Sequence, residues 1–334
     1  MVTTILPSTL VLAAGLGTRL RPLTFCRAKA AVPVAGVPLI CRQLEQLVNQ
    51  GVQDVVVNLH HRPHTITKAV GHGLSLGCNV RFSWEPVVLG SAGGPRHALP
   101  LLDQRFILVN GDTLCDVNLV DLLHTHLRQQ ASVTLSVAKN PAPSRYGGVI
   151  TDQEGWVREF VPAGDTRQSW HFVGVQVAEA SVFSRLVDGK PASSIGGLYN
   201  NLLSYGQQIA THRVSGQFFD IGTPADYLAT NQALSGSEIK SQLFVGERPS
   251  VHPTALITKS VLWDDVVVGA NCIITSCVLT DGVRLPAGTV LDRQAVIQLP
   301  SDSKRTAVMP KIPTKGTLLT VPIKDNQEII QTLE

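Results

Sequence analysis

The chain carries little charge and no long run of one sign. Of its 334 residues 16% are charged, and the formal net charge is +3. That excludes a broad nucleic-acid footprint and a polybasic membrane anchor. No apolar stretch reaches the ~18 uninterrupted residues that a membrane-spanning helix needs, so no membrane association is expected. The first fourteen residues are apolar, yet no Lys or Arg precedes Arg19 and Pro7-Ser8 splits the run. They lack the positive start of a signal peptide and read as a first core strand. Six cysteines (Cys26, Cys41, Cys78, Cys115, Cys272, Cys277) offer no Cys-x-x-Cys pair and no Cys/His spacing suited to zinc. Reduced thiols and a cytoplasmic location are the simplest expectation. What remains is a 44% hydrophobic chain, enough for one large α/β domain and a smaller one.

The N-terminal region is more specific. An apolar strand, Leu10 to Ala14, runs into Gly15 and Gly17, so backbone N–H groups can converge on an anion without a Cβ in the way. Thr18 follows, and Arg19, Arg21 and Lys29 add three cations. Bare amides backed by such cations suit a polyphosphate. Spacing excludes two other phosphate motifs. A P-loop needs Gly-x4-Gly-Lys-Ser/Thr, which Gly15 does not begin. A dinucleotide fingerprint needs a third small residue, whereas position 20 is Leu and Pro22 interrupts any helix starting at Gly17.

Strand-like runs alternate with helical patterns from residue 9 to about 115, the rhythm of parallel β-α-β units. Helices are expected at 40–49, 65–70, 94–102 and 119–129, with strands at 10–14, 55–57, 80–84, 106–109 and 132–138. Gly93-Gly94 is expected to open the third helix. The segment from about 145 to 220 has irregular strands and reads as an inserted lobe. Residues 236–250 suit a linker. From Val251 to Leu291, aliphatic residues recur mostly every five or six positions (Val251, Ile257, Val261, Val267, Ile273, Val278, Val283, Val290), which builds parallel β-helix coils of roughly 18 residues. The expected divisions are therefore 1–235, a linker, coils over 251–300 and a tail over 301–334. His252 is the only histidine of the coil module, which favours a structural role or a homo-oligomer contact over a second enzyme.

The run Gly15-Leu16-Gly17-Thr18-Arg19-Leu20-Arg21-Pro22-Leu23-Thr24 resembles the loop of the sugar nucleotidyltransferase (NDP-sugar pyrophosphorylase) family, which continues into Pro-Lys-Pro. Here that second element is Ala28-Lys29-Ala30, with the lysine in register and both prolines replaced. The resemblance extends to Phe219-Asp220-Ile221-Gly222-Thr223-Pro224 and is greatest toward the mannose-1-phosphate guanylyltransferases. It implies an α/β fold with a doubly wound, mostly parallel, Rossmann-like sheet followed by a short left-handed β-helix. It also implies attack by a sugar-1-phosphate on the α-phosphorus of a nucleoside triphosphate, with Mg2+ as cofactor. A phosphomonoester has a second pKa of about 6, so the nucleophile is already anionic near neutral pH. No general base is needed, in keeping with a chain that shows no Ser-His-Asp or Cys-His set.

By the same resemblance Arg19 meets the departing pyrophosphate, Lys29 bridges toward the α-phosphate, and Asp112 and Asp220 hold the metal. Asp112 follows Asn110-Gly111 at the carboxyl end of a central strand, where open α/β sheets place ligands. Thr223, Pro224 and Asp226 have the pattern of a helix start. The nucleoside falls to Leu12, Ala13, Ala14, Gly15, Gly17 and Thr18, together with Glu85, Gly90 and Gly93. The resemblance puts Gly148 and Gly174 near the sugar, and His171 is a sugar-site candidate by its position beside them. The family's Glu-Lys-Pro is Phe160-Val161-Pro162 here, so the sugar-phosphate lysine is missing, and Arg145, Arg158 or Arg167 could replace it. Mannose-1-phosphate with GTP is the first choice of substrate pair. Thymidylyl transfer to glucose-1-phosphate, uridylyl transfer to N-acetylmuramate-1-phosphate and a non-catalytic nucleotide-sugar-binding subunit remain open. His60, His61 and His64 read as loop or cap residues, and His124 and His126, two apart on a predicted helix, do not share a face.

Overall fold

The computed structural model describes residues 5–234, 244–299, 318–324 and 331–333. Most of the expected linker (236–243) and much of the expected tail (301–317 and 325–330) lie outside the described residues. Two compact units divide the chain. One takes 5–16, 40–219 and 331–333, the other 17–39 and the described part of 220–324.

In the first unit strand and helix alternate as β1 (Thr9–Leu12), α1 (Leu39–Asn49), β2 (Asp54–Leu59), α2 (Pro63–Val70), β3 (Asn79–Trp84), α3 (Gly90–Ala98) and β4 (Arg105–Asn110). The order β4-β1-β2-β3 is parallel throughout. The chain winds outward from β1 to β3, then returns to the other side of β1. That reversal puts a crevice beyond the carboxyl ends of β1 and β4, where open α/β sheets bind ligands. Helix α1 buries Ile40, Cys41, Leu44 and Leu47 and exposes Glu45 and Gln46, an amphipathic period of 3.6.

The remainder is α4 (Leu119–Gln129), β5 (Val133–Lys139), β6 (Gly148–Thr151), β7 (Val157–Val161), β8 (Trp170–Glu179), β9 (Ile209–Arg213) and β10 (Gly216–Asp220). Helix α4 starts where expected because Asn118 Oδ1 accepts the Val120 and Asp121 N–H groups at 3.0 and 3.1 Å. Strand β8 inserts antiparallel between β4 and β5, and β9 adds parallel to β5. The segment expected as an inserted lobe thus completes a nine-stranded sheet. Its irregular sequence reflects a register shift in β8 between Phe172 and Gln176 rather than a break from the sheet. Phe106, Leu108, Leu135, Val137, Phe183 and Tyr199 fill the core beneath it.

Helix α3 begins at Gly90, four residues before its expected start. The Glu85 carboxylate accepts the Leu89 N–H at 2.9 Å, and the Ala92 and Gly93 N–H groups donate to the Ala192 carbonyl. Those partners satisfy the first turn, so the glycine pair sits inside the helix.

In the second unit, residues 17–39 form three short 3-10 turns (Thr18–Leu20, Leu23–Phe25, Lys29–Ala31) and a tight hairpin. Helix α5 (Pro224–Leu234) starts on Thr223, whose Oγ1 accepts the Asp226 N–H while the Asp226 carboxylate accepts the Thr223 N–H. Beyond it, Phe244, Val261, Val278 and Ala295 stack in parallel register, 17 residues apart. The second face stacks Ser250, Val267 and Arg284, and the third stacks Leu256, Ile273 and Val290. The coil is one residue shorter than expected because its third side, from Leu256 to Val261, spans five positions rather than six. The first of these strands, Phe244–Val245, lies in the stretch expected as linker, where two residues among polar neighbours leave no periodic signal. Leu262, Ile274, Leu279 and Val283 line the coil interior. Among the described residues no helix is long and apolar enough to cross a membrane.

Candidate functional site

Directly past β1 the chain leaves the sheet, and its amides turn to a side chain. The Ala13 and Ala14 N–H groups donate to Asn58 Oδ1 at 2.5 and 3.1 Å. Asn58 Nδ2 donates to Glu85 Oε1 at 2.6 Å, and Glu85 Oε2 takes the Leu89 N–H. Strand β1 therefore ends at Leu12 rather than Ala14. Glu85 is fully enclosed, with both oxygens engaged, so it acts on the loop through Asn58. Gly90 and Gly93 meet the backbone of 190–192: an added Cβ would lie 2.8 Å from Ala192 O and 2.6 Å from Lys190 O. That close packing uses both glycines.

The Gly111 N–H donates to Leu12 O at 2.9 Å, which ties the end of β1 to the turn after β4. Gln43, from the buried face of α1, donates through Nε2 to Asn110 O and Thr113 O, both at 2.8 Å. The turn that presents Asp112 is thereby fixed at both ends. Gly174, at φ +87°, occupies the β8 irregularity and approaches Asn110, where a Cβ would stand 3.0 Å from the Asn110 side chain. The structure thus brings Leu12, Ala13, Ala14, Asp112 and Gly174 to one end of the first unit's sheet.

Nearby strands hold the expected sugar residues. Gly148 is buried against Ser169. His171 packs on Tyr146 with ring centroids 4.6 Å apart and meets Phe218 edge-on at 5.0 Å. Burial pushes its imidazole pKa down to about 4, against a smaller opposing pull from the Gly147 backbone. Of the three candidate arginines, Arg158 pairs with Asp152 at 2.6 Å and Arg167 forks onto Glu159 and Asp165. Arg145 stands over the Tyr146 ring at 5.1 Å. His60 bonds the Glu85 carbonyl at 2.8 Å, and buried His126 bonds Thr134 and Glu179.

The second unit presents the cationic loop. Gly15, at the end of the first unit, is exposed, as are Thr18 and Arg19, while Gly17 and Lys29 are half-buried. Gly17 sits at φ +60°, and its carbonyl accepts Thr24 Oγ1 at 2.9 Å. A Cβ there would come within 2.6 Å of Thr24 Cγ2 and 3.2 Å of Lys29 Cβ. Glycine thus lets the two halves of the loop close. Asp220, the last residue of β10, and Arg19 Nη1 both approach Gly222, lying 3.3 and 3.4 Å from where its Cβ would be.

Among the described residues no group of three or more His, Cys, Asp or Glu converges as a cage for a metal. Asp112 Oδ1 accepts the Thr113 hydroxyl at 3.2 Å; a site with one or two carboxylates suits a hard divalent ion that completes its shell with phosphate oxygens and water. Asn58 and Gln43 were missed from the sequence, though each leaves a trace there. Asn58 interrupts the aliphatic run from Val55 to Leu59, and Gln43 occupies a core position in the apolar stripe of α1.

A family described as nucleotidyl transferase matches residues 8–237, and one described as GlmU-like C-terminal hexapeptide matches 224–308. The mannose-1-phosphate guanylyltransferase of Mycobacterium tuberculosis is 30% identical over 297 residues, covering 85% of this chain and 82% of that protein. The UTP–glucose-1-phosphate uridylyltransferase of Synechocystis is 27% identical over 308 residues, covering 86% and 79%. A crystal structure of HddC from Yersinia pseudotuberculosis complexed with GMP-PN aligns with a TM-score of 0.58 and 25% identity, over 66% of this chain and 96% of that one.

Proposed function

We propose, from the premise that this chain belongs to the nucleotidyl transferase family, that it joins a sugar-1-phosphate to a nucleotide, with mannose-1-phosphate and GTP as its pair. A phosphate oxygen of the sugar-1-phosphate forms a bond to the α-phosphorus. The bond from that phosphorus to the α,β-bridging oxygen breaks, and pyrophosphate leaves. Both reactants are anions and the nucleophile is already ionised, so the protein's work is to position them and neutralise charge. The observation that carries this reading is the fixed end of the first unit's sheet, where Asn58 sets Ala13 and Ala14 and Gln43 sets the Asp112 turn.

Leu12, Ala13 and Ala14 are assigned to the nucleoside. Arg19 is assigned to the departing pyrophosphate and Lys29 to the α-phosphate. Asp112 and Asp220 are each proposed as Mg2+ ligands, the ion supplying charge neutralisation on the phosphates. Arg145, which stands over the Tyr146 ring beside His171, is proposed as the substitute for the missing lysine. A second copy of the chain is proposed to cover the exposed ladder of Leu256, Ile273 and Val290, which sedimentation at several concentrations would detect.

A panel of nucleoside triphosphates against sugar-1-phosphates, read as pyrophosphate release with Mg2+, tests the reading. GTP with mannose-1-phosphate should give the fastest release. Release from another pair only would correct the substrates, and nucleotide-sugar binding without release from any pair would support the non-catalytic subunit instead.

A further inference from the structure

Arg27 lies two residues before Lys29, between two of the loop's turns. Its Nε and Nη2 fork onto Asp281 at 2.8 and 2.6 Å, and Nη2 also reaches Asp264 Oδ2 at 2.6 Å. The guanidinium stands 5.2 Å over the Trp263 ring and is 16% exposed. Asp264 and Asp281 occupy equivalent places in successive coils, and each also accepts a coil amide. Asp264 Oδ1 takes the Glu247 N–H at 2.8 Å, and Asp281 Oδ1 takes the Asp264 N–H at 3.2 Å. The coil thus fixes both carboxylates independently of Arg27. Burial alone would lower the Arg27 pKa, but the hydrogen bonds and charges of Asp281 and Asp264 outweigh it and hold the pKa above its ordinary value.

Neighbouring contacts act on the same segment. Phe25 is buried against Ile297, Leu299 and Leu319 of the coil end and its returning strand, and Cys26 Sγ meets Thr280 Oγ1 at 3.3 Å. On the far side of Lys29, Trp263 Nε1 donates to the Tyr227 hydroxyl at 2.9 Å, and that hydroxyl donates to Pro33 O. Asn231 Oδ1 takes the Ala35 N–H at 2.8 Å. Residues 25–35 are therefore anchored on both sides of Lys29, by the coils and by α5. The lysine itself is flanked by Ala28 and Ala30, where the related motif has two prolines. Alanine leaves φ free where proline would fix it, so the chain needs another source of rigidity at this point.

We propose that Arg27 is a positioning residue: through Asp264 and Asp281, the β-helix holds the loop that carries Arg19 and Lys29 in its phosphate-binding shape. This rests on the assignment of that loop to phosphate. Cations and amides that are fixed in advance bind an anion without a further loss of chain entropy, and a planar fork on a carboxylate transmits orientation as well as charge.

Asp281→Asn removes the charge with little change of shape, and Arg27→Lys keeps charge but loses the fork. The exposed pair Arg248 and Asp265, 2.7 Å apart at another place on the coil, supplies the control variants Arg248→Ala and Asp265→Ala. Each protein is titrated calorimetrically with magnesium pyrophosphate, a probe independent of the base, and assayed for KM of both substrates. Asp281→Asn and Arg27→Lys should weaken pyrophosphate affinity and raise KM for the triphosphate by about tenfold, the equivalent of ~1.4 kcal/mol. KM for the sugar-1-phosphate should stay put, and the controls should match the unmodified chain. Unchanged pyrophosphate affinity in a folded Arg27→Lys or Asp281→Asn protein, with only a lower melting temperature, would reduce the ion pair to a structural contact. An unmodified chain that binds no pyrophosphate overturns the phosphate assignment and this proposal together. One that binds it without turning over any substrate pair overturns the enzymatic reading alone.

Discussion

In the first unit Asn58 fixes the amides after β1 from the adjacent strand, with Glu85 behind it, and the partners lie 27 to 45 residues apart in the chain. In the second unit Arg27 fixes its loop through partners 237 and 254 residues away. One network is enclosed and built mainly of amides; the other is partly open and built of charge. An interior relay of this kind tolerates no loss of a member, because each orphaned group bears its full desolvation cost. A partly exposed ion pair adds less stability, so its value lies in the geometry that it imposes.

Glu85→Ala should break the enclosed network most severely. It leaves Asn58 Nδ2 and the Leu89 N–H without partners in the interior, and denaturant unfolding should show a loss of about 3 kcal/mol. A loss below about 1 kcal/mol would mean that water or a neighbour replaces the carboxylate.

His171 tests the same unit through pH. Its pKa falls from 6.5 to about 4 on folding, so between those values the unfolded chain binds more protons than the folded one. Its contribution is complete above pH 6.5 and is lost as pH falls toward 4, about 3 kcal/mol in all. His171→Phe keeps the ring packing and should flatten the decline of stability in that window. A variant that declines as steeply as the unmodified chain would show that His171 is not held neutral.

Two glycine substitutions compare the units directly. In Gly94→Ala the new Cβ would lie 2.7 Å from Glu85 Oε1 and 2.9 Å from Asn58 Nδ2, so both must move. A cost of about 2 kcal/mol is expected, together with weaker triphosphate binding. In Gly222→Ala the Cβ finds Asp226 Oδ2 at 3.1 Å, Asp220 at 3.3 Å and Arg19 at 3.4 Å, all side-chain ends that need shift by only a few tenths of an ångström. Stability should change by less than about 0.5 kcal/mol. Equal effects at the two sites would erase the contrast between an enclosed relay and an open loop.

The difference between the networks also governs what could be read from the sequence. Strand and helix alternation over 9–138 was legible because each element carries its own period and its partners are close in the chain. The helix start at Thr223 was legible for the same reason. The true start of α3 was not, since its first amides are satisfied by Glu85 and Ala192 and no local cap marks the position. Strand β8 could not be placed between β4 and β5, because insertion into a sheet depends on long-range pairing. The 17-residue coil was hidden by one short side. Arg27 gave no sign of its partners: only the stacking of successive coils brings Asp264 and Asp281 to one place.

The most direct measurement follows the α-phosphorus. GTP labelled at that position is incubated with mannose-1-phosphate and Mg2+, and the products are separated. The label should pass into the nucleotide-sugar while unlabelled pyrophosphate is released, and Asp112→Asn should slow both by about a hundredfold or more while the fold is kept. Label that stays in the triphosphate with every sugar-1-phosphate supplied, or that emerges only as free GMP, would contradict nucleotidyl transfer to a sugar phosphate.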